Sequence, residues 1–390
     1  MDIIFITSRF PYPIDKGDKL RAYYQIKELS KIHNVHLVSI TERNLNKKDS
    51  YKLKEVCSSI HIFKINLFNR ILNLFKTFIN NKPFQVNYFY TKNIQLNIDY
   101  IIKEIQPDHI YCQLIRTALY MKNQYQIPST IDYMDALSKG IQRRIPIASF
   151  WMKPILKMEF ERLKKFENLA YEFFDNHIII SQADRESIAH NENFKIKIIS
   201  NGIDTEIFKS YKLKKKYDLV FIGNLNYAPN IDVAVYISNK IIPELTKTYP
   251  ELKVLIAGSN PSKRIKRLSN KHITVSGWVE DIKEAYLSGK IFFAPMKIGT
   301  GLQNKLLEAM SLEIPCITSE LANKALGATN NENILIGNNS QEYINHIKYC
   351  IENNMEAERI GVNGRTFVGD NFSWTKANEL LLNVLSKTNQ

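Results

Sequence analysis

Glycine is scarce in this chain of 390 residues, 14 in all, against an average near 7%. Places where two glycines fall close together therefore merit attention. Cysteine is scarcer still: Cys57, Cys112, Cys316 and Cys350 lie far apart and form no Cys-x-x-Cys pair. That excludes a disulfide scaffold, is poor material for a metal site, and is ordinary for a reducing compartment. No uncharged apolar run reaches the roughly 18 residues that would cross a bilayer. The start, Met1-Asp2-Ile3-Ile4-Phe5-Ile6-Thr7, reads directly as a strand and lacks a basic n-region, so no signal peptide and a cytoplasmic location are expected. What is present is ordinary for a soluble globular protein: 44% hydrophobic, 11% aromatic and 24% charged residues. The length predicts two domains.

Acid is missing locally. The net charge is +14, from 53 basic and 39 acidic side chains. Residues 1–208 carry an excess of +8, residues 209–216 add five lysines and no acid, and residues 217–390 carry +1. Residues 61–98 hold Lys64, Arg70, Lys76, Lys82 and Lys92 with no acid at all. Residues 139–165 hold eight basic side chains against Glu159 and Glu161. Both stretches interleave cations with large apolar residues, among them Phe68, Phe75 and Phe78 in the first and Phe150 and Trp151 in the second. That pattern suits an anionic membrane surface, where apolar burial and headgroup attraction act together. A core helix with a solvated basic face accounts for it too. Nucleic acid is not expected, since no recognised binding motif accompanies the charge.

Short apolar runs alternate with helical spacing along the chain. Ile3–Thr7, Val35–Ile40, Ile60–Phe63, Asp108–Cys112, Ser129–Asp132 and His177–Ser181 read as strands. The pattern restarts after the lysines, at Tyr217–Gly223, Val254–Ile256, Ile273–Val275, Ile291–Ala294, Ile314–Thr318 and Asn333–Ile336. This predicts two doubly wound α/β domains, residues 1–208 and 217–371, joined by a basic linker at 209–216. Ligands of such sheets bind beyond the carboxyl ends of the strands.

The richest chemistry follows the strand at Ile291–Ala294: Gly299-Thr300-Gly301, then Leu302-Gln303-Asn304-Lys305-Leu306-Leu307-Glu308. Two glycines let the backbone approach a ligand. The helix expected from 302 presents amides of Leu302, Gln303 and Asn304 at its positive end, which suits a diphosphate. Lys305 adds charge in the first turn, and Glu308 lies on the same face, placed to accept hydrogen bonds from ribose hydroxyls. An ordinary turn with a Glu308–Lys305 surface pair accounts for the same residues.

The ordered motifs resemble family 4 glycosyltransferases, most closely the bacterial sugar transferases of exopolysaccharide and exosortase-linked clusters. The likeness rests on Arg9-Phe10-Pro11-Tyr12-Pro13-Ile14-Asp15-Lys16-Gly17-Asp18-Lys19-Leu20-Arg21 near the start and on Asn201-Gly202-Ile203-Asp204 before the second domain. It continues through Phe221-Ile222-Gly223-Asn224, Ile256-Ala257-Gly258, Gly277-Trp278-Val279, Asn304-Lys305-x-x-Glu308 and the closing Phe372-Ser373-Trp374. The resemblance implies a GT-B fold: two Rossmann-like domains facing a cleft, with residues 372–390 forming a helix that returns to the first domain. It implies a nucleotide-diphosphate sugar as donor on the second domain and an acceptor, a glycan or a polyprenyl-linked one, on the first. Gly223, Asn224, Gly258, Val279 and the segment from Gly299 to Lys305 with Glu308 fall at donor-binding positions, and Gly17, Asp18, Lys19 and Arg21 at the acceptor-side loop.

Three positions depart from the family pattern. Thr300 stands where members usually have a Glu that bonds the donor sugar. The segment Gly223-Asn224-Leu225-Asn226-Tyr227-Ala228-Pro229-Asn230 lacks the Arg and Lys that usually hold the diphosphate. Where a His usually follows the fifth strand, this chain has Asp132-Tyr133-Met134-Asp135. The expected function is a retaining glycosyltransferase of cell-surface polysaccharide assembly, peripheral at the inner face of the plasma membrane. Lys305 is expected to neutralise the leaving diphosphate and Asp135 to orient the acceptor, with no metal or other cofactor. Asp132 and Asp135 as mere helix caps, a nucleotide-sugar epimerase of the same fold, and a non-catalytic nucleotide-sugar-binding scaffold are the alternatives.

Overall fold

Ile3, Ile4, Phe5 and Ile6 are all fully buried, as an apolar β-branched run becomes when a parallel sheet is covered on both faces. In the computed structural model, which describes residues 1–14, 16–42, 47–122, 126–146, 148–204, 208–297 and 302–386, they form β1 (Asp2–Thr7). Six strands follow it in the same unit: β2 (Asn34–Thr41), β3 (Ser59–Lys64), β4 (His109–Gln113), β5 (Ser129–Asp132), β6 (Asn176–Ile179) and β7 (Lys197–Ile198). They make one parallel sheet in the order β3-β2-β1-β4-β5-β6-β7. The two-residue β7 carries too little apolar sequence to announce itself.

The second unit repeats the plan with β8 (Tyr217–Ile222), β9 (Val254–Ala257), β10 (Ile273–Val275), β11 (Gly289–Ala294), β12 (Cys316–Thr318) and β13 (Leu335–Ile336). Its sheet, also parallel, runs β10-β9-β8-β11-β12-β13. In both units the strand order reverses beside the first strand, between β1 and β4 and between β8 and β11. These are the switch points at whose carboxyl ends such sheets take their ligands.

The compact units are Met1–Gly202 with Trp374–Gln390, and Ile203–Ser373. The chain thus enters the second unit inside Asn201-Gly202-Ile203-Asp204, ahead of the lysines at 209–216. The helix Trp374–Ser386 belongs to the first unit, where Leu381 and Leu385 join the core beneath β1. Trp374 stacks on Tyr24 of the helix Gly17–Leu29, ring centroids 4.9 Å apart and planes 9° from parallel.

Arg21 of that helix corrects an expectation. Placed by the resemblance at the acceptor-side loop, it is fully buried and so is its partner Asp132. Arg21 Nε donates to Asp132 Oδ2 at 2.5 Å, and its Nη1 donates to the Ile199 carbonyl and to Asn201 Oδ1. Gln25 Nε2, the Tyr111 hydroxyl and the Met134 amide also donate to the Asp132 carboxylate. A charge this deep persists only when paired and hydrogen-bonded. Arg21 ties the first helix to the end of β5 and to the segment that leaves the unit.

Candidate active site

The ends of β8, β9 and β10 and the helix Asn304–Ser311 enclose a cavity of about 450 Å³ in the second unit. Gly223, Asn224, Gly258, Val279, Lys305 and Glu308 line it, joined by Tyr286 and Trp278. Six residues that the sequence singled out, from four separate segments, are thereby brought together.

Two glycines set the floor. Gly258 has φ +145°, and a Cβ there would lie 1.7 Å from the Gly223 carbonyl oxygen. A Cβ at Gly223 would in turn lie 2.8 Å from Asn230 Nδ2. The loops after β8 and β9 therefore pass each other at a distance only glycine allows. Asn230, buried in the helix Ala228–Tyr236, uses that space: its Nδ2 donates to the Asn224 carbonyl at 2.9 Å, and its Oδ1 accepts from Lys305 Nζ.

Lys305 is therefore an anchored cation. Its ammonium also sits 5.1 Å from the centre of the Phe221 ring. Burial lowers its pKa to about 8, with Glu308 opposing the shift. Glu308 accepts a 2.7 Å hydrogen bond from the hydroxyl of Tyr286, which is fully buried. Burial raises the Glu308 pKa to about 6 against the pull of Tyr286 and Lys305. At neutral pH the site presents an ammonium and a carboxylate on one helix face, each held by a neutral partner. The alternative drawn from the sequence, a Glu308–Lys305 surface pair, does not form: Glu308 bonds Tyr286 and Lys305 bonds Asn230.

The helix begins at Asn304, two residues later than expected, so Leu302 and Gln303 lie before its first turn, with Gln303 at the N-cap. Of the three expected amide donors only Asn304 is helical, and it is exposed. Gly299, Thr300 and Gly301 lie outside the described residues. At the end of β11, Thr318 Oγ1 donates to the Ala294 carbonyl and Ser319 Oγ to that of Met296. Trp278 is 74% exposed. Asn230 and Tyr286 were missed as site residues. Asn230 lay in the segment noted for its lack of cations, and Tyr286, on a short helix, carries no motif.

The first unit gathers a charged group at the carboxyl ends of β1, β4 and β5. Arg9 Nη1 pairs with Asp18 Oδ2 at 2.6 Å, and Gln113 Nε2 donates to the Asp18 carbonyl. Asp18 and Lys19 are partly buried, and a side chain at Gly17 would meet nothing within 4 Å. Arg116 donates through Nε and Nη2 to Gln85 Oε1. Asp135 is exposed in this setting. Crowding by protein, reinforced by Asp184 and opposed by Arg116, raises its pKa to about 6. It does not cap the next helix: Leu137–Arg144 has Ala136 at its N-cap and no side-chain cap. Asp132 is committed to Arg21. Asp135 is thus the carboxylate of the pair that solvent can reach.

Two doubly wound parallel sheets in one chain are the architecture of the GT-B fold. Residues 216–353, within the second unit, match the model of the family described as glycosyl transferases group 1. The whole chain is similar to an uncharacterized 44.6 kDa protein of the cps region of Klebsiella pneumoniae, 23% identical over 96% of this chain and 97% of that protein. In fold it is similar to Anabaena HepE solved with UDP, at a TM-score of 0.66, 15% identity and coverage of 99% of this chain and 100% of that one. Sucrose-phosphate synthase of Thermosynechococcus elongatus is alike to the same degree: TM-score 0.66, 14% identity, 100% of this chain and 99% of that one.

Proposed function

We infer that this chain is a retaining glycosyltransferase that moves a sugar from a nucleotide-diphosphate donor to a glycan or polyprenyl-linked acceptor in cell-surface polysaccharide assembly, on the inner face of the plasma membrane. The observation that carries this reading is the cavity in which Lys305 and Glu308 face the glycine-lined ends of β8 and β9. An ammonium and helix amides suit a diphosphate, and a carboxylate one turn below suits ribose hydroxyls. The cps-region relative supports the polysaccharide context. The UDP and UDP-glucose carried by HepE make uridine diphosphate sugars the first donors to try.

In the transfer, the bond from the anomeric carbon to the diphosphate oxygen breaks while the acceptor oxygen bonds the same face of that carbon. The acceptor's proton passes to the departing phosphate. Lys305 stabilises the charge that builds on the diphosphate. Asp135 accepts a hydrogen bond from the acceptor hydroxyl and orients it, the carboxylate being the working form.

Donor turnover, measured with and without a lipid-linked glycan acceptor, tests the assignment. Consumption of a nucleotide sugar that requires the acceptor supports transfer. Acceptor-independent reworking of the sugar would indicate an epimerase, and binding without turnover a scaffold. Asp135→Asn is expected to lower kcat roughly tenfold or more, about 1.4 kcal/mol of barrier, with nucleotide affinity unchanged. In the wild type, kcat should fall as pH drops through about 6, where the Asp135 carboxylate takes up a proton. The Asn variant should lose that limb of the profile. Wild-type turnover in the variant would remove Asp135 from the mechanism.

A further inference from the structure

The helix Leu67–Asn80 is built inside out. A helix on a globular surface normally turns its apolar stripe to the core. Here the buried residues are Asn73 and Thr77, while Phe68, Phe75, Phe78 and Ile79 are each more than 60% exposed and Leu67, Ile71 and Leu72 are exposed with them. None of these side chains joins the core of the unit. The inward contacts are polar: Asn73 Nδ2 donates to the Tyr90 carbonyl at 2.8 Å, and Asn87 Nδ2 donates to Thr77 Oγ1 at 2.9 Å and to Asn80 Oδ1 at 2.8 Å. Arg70 Nη1 donates to the Tyr88 hydroxyl. The alternative drawn from the sequence, a core helix with a solvated basic face, is thereby overturned for this stretch.

The second basic, aromatic stretch meets the first. Glu159 of the helix Lys153–Tyr171 accepts the Phe84 and Gln85 amides through its two carboxylate oxygens, and Arg162 donates to Asn81 Oδ1. Just before that helix, Phe150 and Trp151 are exposed. Two segments distant in sequence thus meet at residues 81–85, and each carries exposed aromatic side chains.

We propose that the helix Leu67–Asn80 docks this protein on an anionic bilayer surface, lying in the plane of the headgroups with Phe68, Phe75 and Phe78 among the acyl chains. Its 14 residues are too few to cross a bilayer, which takes about 20. Lys64, Lys76 and Lys82 stand in and around it with no acid from residue 61 to 98, and Arg70 lies 3.9 Å from Glu42. Complementarity of charge therefore selects anionic lipid. It disfavours a second copy of the chain, because a two-fold contact through this face would set these cations against themselves. The inference stands on this helix alone and is independent of the donor chemistry.

Sedimentation of the full chain with vesicles tests it, using phosphatidylcholine alone or phosphatidylcholine with a minority of phosphatidylglycerol. The expected result is partition onto the anionic vesicles roughly tenfold stronger than onto neutral ones, weakening with salt as the charges are screened. Phe68→Ser combined with Phe75→Ser should lower that partition at least tenfold while the thermal midpoint and nucleoside diphosphate affinity stay as in the wild type, since both rings are exposed. Lys76→Gln should narrow the gap between the two vesicle types. Failure of the wild type to bind either vesicle would overturn the proposal. So would a wild-type dimer that the double serine variant converts to a monomer, which would make this face an interface between copies.

Discussion

Asp132→Ala is expected to lower the stability of the first unit by about 3–5 kcal/mol, the cost of leaving one partner of a buried ion pair uncompensated. The substitution strands Arg21, whose side chain is fully buried and cannot turn to water. It also removes the acceptor of Gln25, Tyr111 and the Met134 amide at once. Among the described residues, Arg21 would keep Ile199 and Asn201. The check is a urea unfolding curve followed by a probe in the first unit. A second variant separates pairing from packing. Arg21→Met with Asp132→Leu removes both charges and should recover much of the loss, as apolar replacements of buried ion pairs commonly do. A midpoint for Asp132→Ala close to the wild type would contradict the role assigned to this pair.

Lys305→Ala is expected to weaken binding of a nucleoside diphosphate by about 1–3 kcal/mol, roughly 5- to 150-fold, the range for hydrogen bonds to charged groups. The ammonium is fixed by Asn230 before any ligand arrives, so its contribution needs little ordering at the moment of binding. The pH dependence carries a sign. Burial places the Lys305 pKa at about 8, so the charged form that attracts phosphate dominates at pH 7 and is lost as pH rises through about 8. Affinity should fall over that interval in the wild type and stay flat in the alanine variant. A wild-type profile that is flat from pH 7 to 9 would deny Lys305 the phosphate.

The alternation of strands and helices was legible because the central parallel strands contain unbroken apolar runs, as in Ile3–Ile6 and Leu219–Ile222. β7 escaped notice at two residues. The donor side was legible through glycine: in a chain this poor in it, Gly223 and Gly258 at strand ends mark positions that tolerate no side chain. Asn230 and Tyr286 were not legible. Their roles come from what they touch across the fold, 75 residues from Lys305 in one case and 22 from Glu308 in the other. Arg21 misled for a related reason. Nothing local to its helix points to its partner Asp132, which lies 111 residues away at the end of β5. The inverted helix at 67–80 was legible as amphipathic, but periodicity does not say which face turns inward.

The donor site is tested most directly by equilibrium titration with UDP, GDP, ADP and pyrophosphate, on the wild type and on Glu308→Gln. At least one nucleoside diphosphate should bind the wild type more tightly than pyrophosphate does, because Glu308 receives the ribose hydroxyls in addition to the phosphate contacts. That preference should shrink in the Gln variant, which keeps the shape and loses the charge. No binding of any nucleoside diphosphate, or a preference over pyrophosphate that survives Glu308→Gln undiminished, would contradict the site described between the ends of β8 and β9 and the helix Asn304–Ser311.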